Sequence, residues 1–211
     1  MSRDTATLAP TNPFSTRSIR TGRIPPLDDA GYPLRLAEVL ADLTRRGGSA
    51  AIVGPHGSGK TTLLRHLGDA MEGRGQRVAR VRLHGEQGVV TLLRAVVRGG
   101  VVCVDSWERL RRPAAVLVRW LARIRGTRLV VTAHRPGPLP TLWACRTSPA
   151  LLAAIVDRLP EHGGLLPSER TVQIEDAFRR SKGDIREALF ALYDRFEERA
   201  GAARAGESAR A

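Results

Sequence analysis

The stretch Gly54-Pro55-His56-Gly57-Ser58-Gly59-Lys60-Thr61 restricts the fold more than any other part of the chain. It matches the pattern G-x-x-x-x-G-K-[ST] and lies between a short apolar run, Ser49 to Val53, and an amphipathic stretch from Thr61 to about Glu72. Glycines let such a loop curl so that successive backbone N–H groups point inward at an anion. A buried strand must feed the loop, and a helix must leave it with the partial positive charge of its N-terminus on the same anion. In this pattern the lysine reaches β and γ phosphate oxygens and the hydroxyl faces Mg²⁺. Gly54, Pro55, His56, Gly57, Ser58, Gly59, Lys60, Thr61 and Thr62 are therefore the candidate nucleotide-binding residues. The implied ligands are ATP or another nucleoside triphosphate, with Mg²⁺.

A magnesium ion keeps several waters, and an oriented carboxylate at the end of a neighbouring strand is needed to hold them. Val101-Val102-Cys103-Val104-Asp105, entered through Gly99-Gly100, supplies that group. Thr61 and Asp105 are the candidate metal-side residues. Hydrolysis also needs a group that polarises the attacking water, commonly a glutamate directly after the metal aspartate. Here that position is Ser106, and the nearest carboxylate is Glu108, the candidate base, on the turn leaving the strand. A solvated place at the start of the next helix is the other reading of Glu108.

Apolar periodicity organises the rest. Helices are expected at Pro33–Arg45, Thr61–Glu72, Val89–Val97 and Pro113–Ile124, the last with Val116, Trp120 and Ile124 at i, i+4 and i+8. Strands are expected at 49–53, 76–84, 101–105, 127–132 and 142–145. Alternating strands and helices predict an α/β P-loop NTPase fold, a parallel five-stranded sheet with helices on both faces and ligands at the carboxyl ends of the strands. From Pro149 the chain reads as helix only, Pro149–Leu159, Ser168–Ser181 and Asp184 to about Arg199, a small helical lid. The expected division is a partly irregular leader with the first helix (1–46), the core (47–147), the lid (148–199) and a mobile tail (200–211). In the leader, Phe14, Ile19 and Ile24 are expected to pack against the core.

Composition sets the limits. A chain of 211 residues with 42% apolar content suffices for a real core. Cys103 and Cys145 lie in apolar runs without a C-x-x-C pairing, so both read as buried thiols in a reducing compartment. No apolar run approaches the roughly 18 residues of a membrane span. The N-terminus lacks the order of a signal peptide. The expected location is the cytoplasm, with no membrane partner.

Taken together, these residues resemble the AAA+ superfamily, in which a five-stranded P-loop core precedes a helical lid over the nucleotide. The resemblance covers about residues 47–199. Ser181-Lys182-Gly183-Asp184-Ile185-Arg186-Glu187-Ala188-Leu189 is similar to the lid segment of clamp loaders and initiators. It implies that Arg186 is the sensor 2 arginine, a fixed fork of donors that couples closure to the γ-phosphate. It implies equally that Thr132 is sensor 1, with His134 close enough to compete, and that Ile24–Leu27 help enclose the adenine. The chain departs from the pattern at Ser106 and lacks a clear helix bearing an intersubunit arginine finger; Arg135 and Arg146 are the candidates. The expected activity is ATP hydrolysis, with Glu108, Thr132 and Arg186 as catalytic residues.

Adenine specificity follows by elimination and resemblance. The N-K-x-D motif of guanine sites is absent, Asn12 being the only asparagine, and so is the L-S-G-G-Q signature of transport cassettes. The client stays open. The net charge of +13 is concentrated in the core: residues 49–98 carry 8 basic and 3 acidic groups, residues 99–147 carry 9 and 2, and residues 148–211 carry 10 and 11. Arg109, Arg112, Arg119 and Arg123 could share one helical face and meet the phosphates of DNA or RNA. Against this, aromatic content is 4%, poor for a stacking platform. A protein partner or a second copy of the chain is the alternative, and a small-molecule kinase a third.

Overall fold

The computed structural model describes residues 12, 14, 24–159 and 167–208. Its core is a five-stranded sheet built from β1 (Ala50–Val53), β2 (Val78–Arg82), β3 (Val101–Asp105), β4 (Arg128–Ala133) and β5 (Thr141–Ala144). All four pairings are parallel and the spatial order is β2-β3-β4-β1-β5. The strand that feeds the P-loop thus lies beside β4, and β4 lies beside β3. That order brings the ends of β1, β4 and β3, with Val53, Thr132 and Asp105, to one edge.

Helices cover both faces. On one side α1 (Leu36–Arg45) and α2 (Lys60–Glu72) pack on Ala50, Ile52, Val101, Cys103 and Val130; on the other α3 (Gly85–Arg98) and α4 (Arg112–Ile124) pack on Ala51, Val53, Val102, Val104, Leu129 and Val131. Successive strand residues serve opposite faces, which is why these strands read as unbroken apolar runs rather than alternating ones. Burial pushes the Cys103 thiol up to about 12 and the Cys145 thiol up to about 11. Both cysteines are buried thiols, as expected.

Helix α4 lies where it is expected, at Arg112–Ile124, but the residues whose spacing marks it are not the ones it buries. Val116, Trp120 and Ile124 are 62%, 59% and 60% exposed, whereas Val118 and Ala122 are buried. The helix is apolar at nearly every position that is not arginine, so i, i+4 spacing is satisfied on two faces. The sheet takes the face with small side chains, Ala114, Ala115, Val118 and Ala122, which allows close approach. Arg109 also leaves the proposed stripe, because it belongs to the 3₁₀ turn Trp107–Arg109 that precedes α4. Helix α3 begins at Gly85, four residues before the expected Val89.

The lid contains α5 (Pro149–Val156), α6 (Pro167–Arg180) and α7 (Ile185–Ser208) around a separate core of Leu151, Leu152, Val156, Ile174, Ala177, Ala188 and Leu192. Ser148 caps α5 by accepting from the Leu151 N–H at 3.0 Å, ahead of the proline at the first helical position. The expected tail from 200 is corrected: α7 continues through Ser208. The leader is corrected as well. Phe14, 2% exposed, belongs to the lid core rather than to the sheet core, and the Asn12 amide donates to Tyr193 O at 3.2 Å and to Glu197 Oε1 at 2.7 Å on α7. Ile19 lies outside the described residues. No helix among the described residues is long and apolar enough to cross a membrane.

Helices α6 and α7 are tied by Asp176, which accepts from Arg195 on α7 and from Arg179 (3.1 Å) and Arg180 (3.0 Å) on its own helix. These guanidiniums, Arg195 foremost, hold its carboxyl far below the usual aspartate range. Because the folded value is depressed, the ionised carboxylate stabilises the lid fully above the unfolded aspartate value of about 3.9, and that stability is lost as pH falls toward the folded value. Asp176→Asn is expected to lower the melting temperature by a constant amount at neutral pH. In thermal melts recorded from pH 7 to pH 3, the gap between variant and wild type should begin to close only below about pH 4.

Candidate nucleotide site

The P-loop begins where β1 ends. Gly54 N donates to Ala133 O on β4 at 3.2 Å, anchoring the loop to the neighbouring strand. Gly59 then opens α2 in the left-handed conformation (φ +82°), which glycine adopts without steric cost. Lys60 folds back over the loop, its Nζ donating to Gly54 O at 2.8 Å and to Pro55 O at 2.5 Å. Burial draws its pKa downward, opposed by the charges of Glu108, Asp105 and Asp184 nearby. The half-buried ammonium, held against the loop by two backbone carbonyls, puts a positive charge beside the glycine-rich turn.

A cavity of about 440 Å³ adjoins the loop, and its walls come from three parts of the chain. Gly57 to Leu63 form the polar side; Ile24 to Leu27, Phe14 and Leu34 form an apolar side; Leu151, Ile155, Ile185, Arg186, Leu189 and Phe190 close it from the lid. An apolar chamber opening onto a phosphate-type loop matches the two halves of a nucleotide, base and phosphates. Of the nine candidate loop residues, Gly57, Ser58, Gly59, Lys60, Thr61 and Thr62 line the cavity, while Gly54, Pro55 and His56 shape the loop behind it. Ile24–Leu27 line the apolar wall, where the base was expected. Cys145 also lines it, its thiol kept protonated by burial.

Asp105 is the centre of the polar edge. Its Oδ1 accepts from Thr132 Oγ1 at 2.7 Å and from Thr61 Oγ1 at 3.1 Å, and Arg82 Nε lies 3.3 Å from its Oδ2. The structure thus brings together Thr61, Asp105 and Thr132, residues from the P-loop helix, β3 and β4. Hydroxyl and carboxylate oxygens suit a hard divalent cation such as Mg²⁺. Among the described residues no group of three or more His, Cys, Asp or Glu is placed to hold a metal, so a cation here would share its shell with waters and phosphate oxygens. When bound, Mg²⁺ would neutralise charge developing on the phosphates.

Glu108 is not solvated alone at a helix start. It sits within the 3₁₀ turn, and its Oε1 meets His134 Nε2 at 3.0 Å. The His134 ring in turn lies against the ring of His56 in the P-loop, with centroids 4.0 Å apart. Arg186 is held at the second position of α7 by Asp184, whose Oδ1 accepts from Arg186 N at 2.9 Å and from Glu187 N at 3.3 Å. The same oxygen presses on the P-loop, since a Cβ on Gly57 would fall 1.9 Å from it. Lid and loop are therefore in direct contact, and only glycine fits at 57. Arg135 and Arg146 are exposed and line no part of the cavity. The contacts of Arg82 and of Asp184 were not legible in advance: Arg82 reads as one arginine among many, and Asp184 as an ordinary cap.

The family model described as AAA domain matches residues 43–132. No curated protein matches the chain. Among solved structures, the replication initiator DnaA bound to AMPPCP and single-stranded DNA is similar, with a TM-score of 0.51 and 16% identity over 75% of this chain. The chain spans 59% of that DnaA chain. PCH-2 of C. elegans matches at a TM-score of 0.37 and 11% identity, over 79% of this chain and 68% of its own. With the P-loop strand between β4 and β5, the Asp105 strand beyond β4 and a helical lid behind them, the chain has an α/β P-loop NTPase fold, and its residues 43–132 match the AAA domain family.

Proposed function

We propose that the protein binds ATP with Mg²⁺ and hydrolyses it, using the cycle as a conformational switch. The observation that carries this reading is the cavity shared by the P-loop and the lid, which Lys60 lines from the loop side and Arg186 from the lid side. Lys60 meets β and γ oxygens, Thr61 and Asp105 hold the cation, and Thr132 and Glu108 serve the attacking water. Arg186, on the lid, senses the γ-phosphate. The direct contact between Asp184 and Gly57 makes lid position sensitive to whatever the loop holds. The similarity to DnaA in complex with AMPPCP supports nucleotide as the ligand.

The outer face of α4 favours an acidic segment of a partner protein as the client. Arg112, Arg119 and Arg123 recur at i, i+7 and i+11 and form one edge of that face; Val116, Leu117, Trp120 and Ile124 form an exposed apolar ridge beside them. Residues 109–128 hold seven arginines and no carboxylate. A duplex would use the arginines and leave the ridge bare, whereas an acidic amphipathic helix satisfies both. Two such faces repel one another, which disfavours a symmetric pairing of copies through α4.

Lys60→Ala removes charge-assisted bonds worth about 1.5–3 kcal/mol and should weaken ATP binding roughly 10- to 100-fold, as read by fluorescence titration with a labelled nucleotide. Arg186→Ala should leave binding within a few-fold and slow phosphate release. Wild-type affinity in Lys60→Ala would refute the assignment of the loop. For the client, phosphate release should be unchanged by DNA or RNA at moderate salt. Stimulation that disappears in Arg119→Glu/Arg123→Glu would reverse the choice in favour of nucleic acid.

A further inference from the structure

Ser106 occupies the place where a water-polarising glutamate is expected, so the chain needs that function from elsewhere if it is to turn over ATP. Its backbone shows where. Ser106 is in the left-handed region (φ +67°), one of two non-glycine residues with positive φ among those described, the other being Lys182. Such a conformation is sterically unfavourable for a residue with a Cβ and persists only where its surroundings enforce it. They do so here: Ser106 N donates to Thr132 Oγ1 at 2.9 Å, and the same hydroxyl donates to Asp105. The turn throws the chain into the 3₁₀ segment Trp107–Arg109, with Trp107 buried as its anchor and Glu108 turned toward β4.

His134 receives Glu108 there. One residue past β4, its Nε2 donates to Glu108 Oε1 at 3.0 Å. Its Nδ1 is buried and has no hydrogen-bond partner among the described residues. The ring proton therefore belongs on Nε2, where an acceptor exists, and the imidazole is committed to Glu108. His56, the third residue of the P-loop motif, lies on the His134 ring at 4.0 Å and keeps it in place. Glu108 retains its second oxygen, and its side chain is 33% exposed, open to water. Glu108 lies three residues past Asp105, at the carboxyl end of β3, the same sheet edge from which the P-loop leaves β1.

We propose that Glu108, displaced by two residues and held by His134, replaces the missing glutamate at position 106, and that His56 ties this pair to the phosphate-binding loop. The inference rests on the nucleotide-binding reading above and assigns the base within it. In the reaction, the water oxygen bonds to the γ-phosphorus and the bond from that phosphorus to the β,γ-bridging oxygen breaks, its electron pair leaving with ADP. The water proton passes to the free oxygen of Glu108 and then to the released phosphate. Glu108 is the catalytic residue. His134 is a positioning residue that acts through it, and His56 is the packing contact that makes the pair answer to the loop. The left-handed serine and the histidine after β4 are what bring a carboxylate to this offset.

The test uses the full chain with Mg·ADP and aluminium fluoride, which mimics the transferring phosphoryl group and is captured only where an attacking water is held. Labelled ADP binding, capture of the fluoride complex and phosphate release are measured for wild type, Glu108→Gln, His134→Ala and His134→Gln. Glu108→Gln should bind ADP as wild type does, capture the complex at least tenfold more weakly, and release phosphate about 100-fold more slowly. His134→Ala should weaken capture about tenfold, and His134→Gln, which keeps an N–H near the place of Nε2, should restore most of it. Wild type that binds ADP but captures nothing would overturn the inference and leave nucleotide binding standing. So would capture by Glu108→Gln equal to wild type, or equal losses in the two His134 variants. Failure of wild type to bind ADP at all would bring down both readings together.

Discussion

One carboxylate joins the parts of this molecule that must act together. Asp105 accepts from Thr61 at the start of α2 and from Thr132 on β4, and it meets Arg82 on β2, so three strands and the P-loop helix converge on a single side chain. Parallel pairing makes this possible, because it puts the carboxyl ends of β2, β3, β4 and β1 on the same edge. With only 13% of its side chain exposed, an aspartate at this position depends on such partners in place of water. Arg82, 70% exposed at its side chain, is the partner with the least to hold it there.

The second organising contact is between lid and loop. Asp184 caps α7 and meets Gly57 with the same oxygen, which places a carboxylate beside a loop built to hold phosphates. Asp184 and, two residues further on, Arg186 thus bring opposite charges up to the loop and its cavity. The leader strengthens the lid side of the arrangement. Phe14 and Asn12 hold residues near the N-terminus to α5 and α7 while Ile24–Leu27 line the cavity. A change in lid position must therefore be carried into the apolar wall as well as the polar one.

How much of this was legible in sequence follows from how local each determinant is. The P-loop, the five strands and the lid helices rest on spacing and composition over a few residues, and each lies within a few residues of its expected place. Long-range consequences were invisible. Nothing local distinguishes Asn12 as a partner of Tyr193 and Glu197, 181 and 185 residues away. In helix α4 the reason is physical: when a helix is apolar on two faces, periodicity fixes the helix but not which face the sheet takes, and the smaller side chains won. The tail after 200 lacks apolar spacing, yet its alanines and charged residues are strong helix formers that extend α7 without needing a buried face. Glu108 was found by proximity in sequence, but its tie to His134 needed the β3–β4 pairing to appear.

Local strain points to the same edge from a different direction. A sequence that needed only a fold could have placed glycine or asparagine at 106, where the backbone is left-handed, at little steric cost. Serine pays no obvious return there through its side chain, whereas its backbone N–H is one of the groups that fix the Thr132 hydroxyl. The hydroxyl of Thr132, with one proton to give, gives it to Asp105 and accepts from Ser106. That single orientation makes the metal-side aspartate, the strained turn and the position of Glu108 interdependent: rotating the Thr132 hydroxyl away from Asp105 would loosen the turn that carries Glu108. Asp105 and the turn that carries Glu108 are thus joined through one threonine, over hydrogen bonds of 2.7 Å and 2.9 Å.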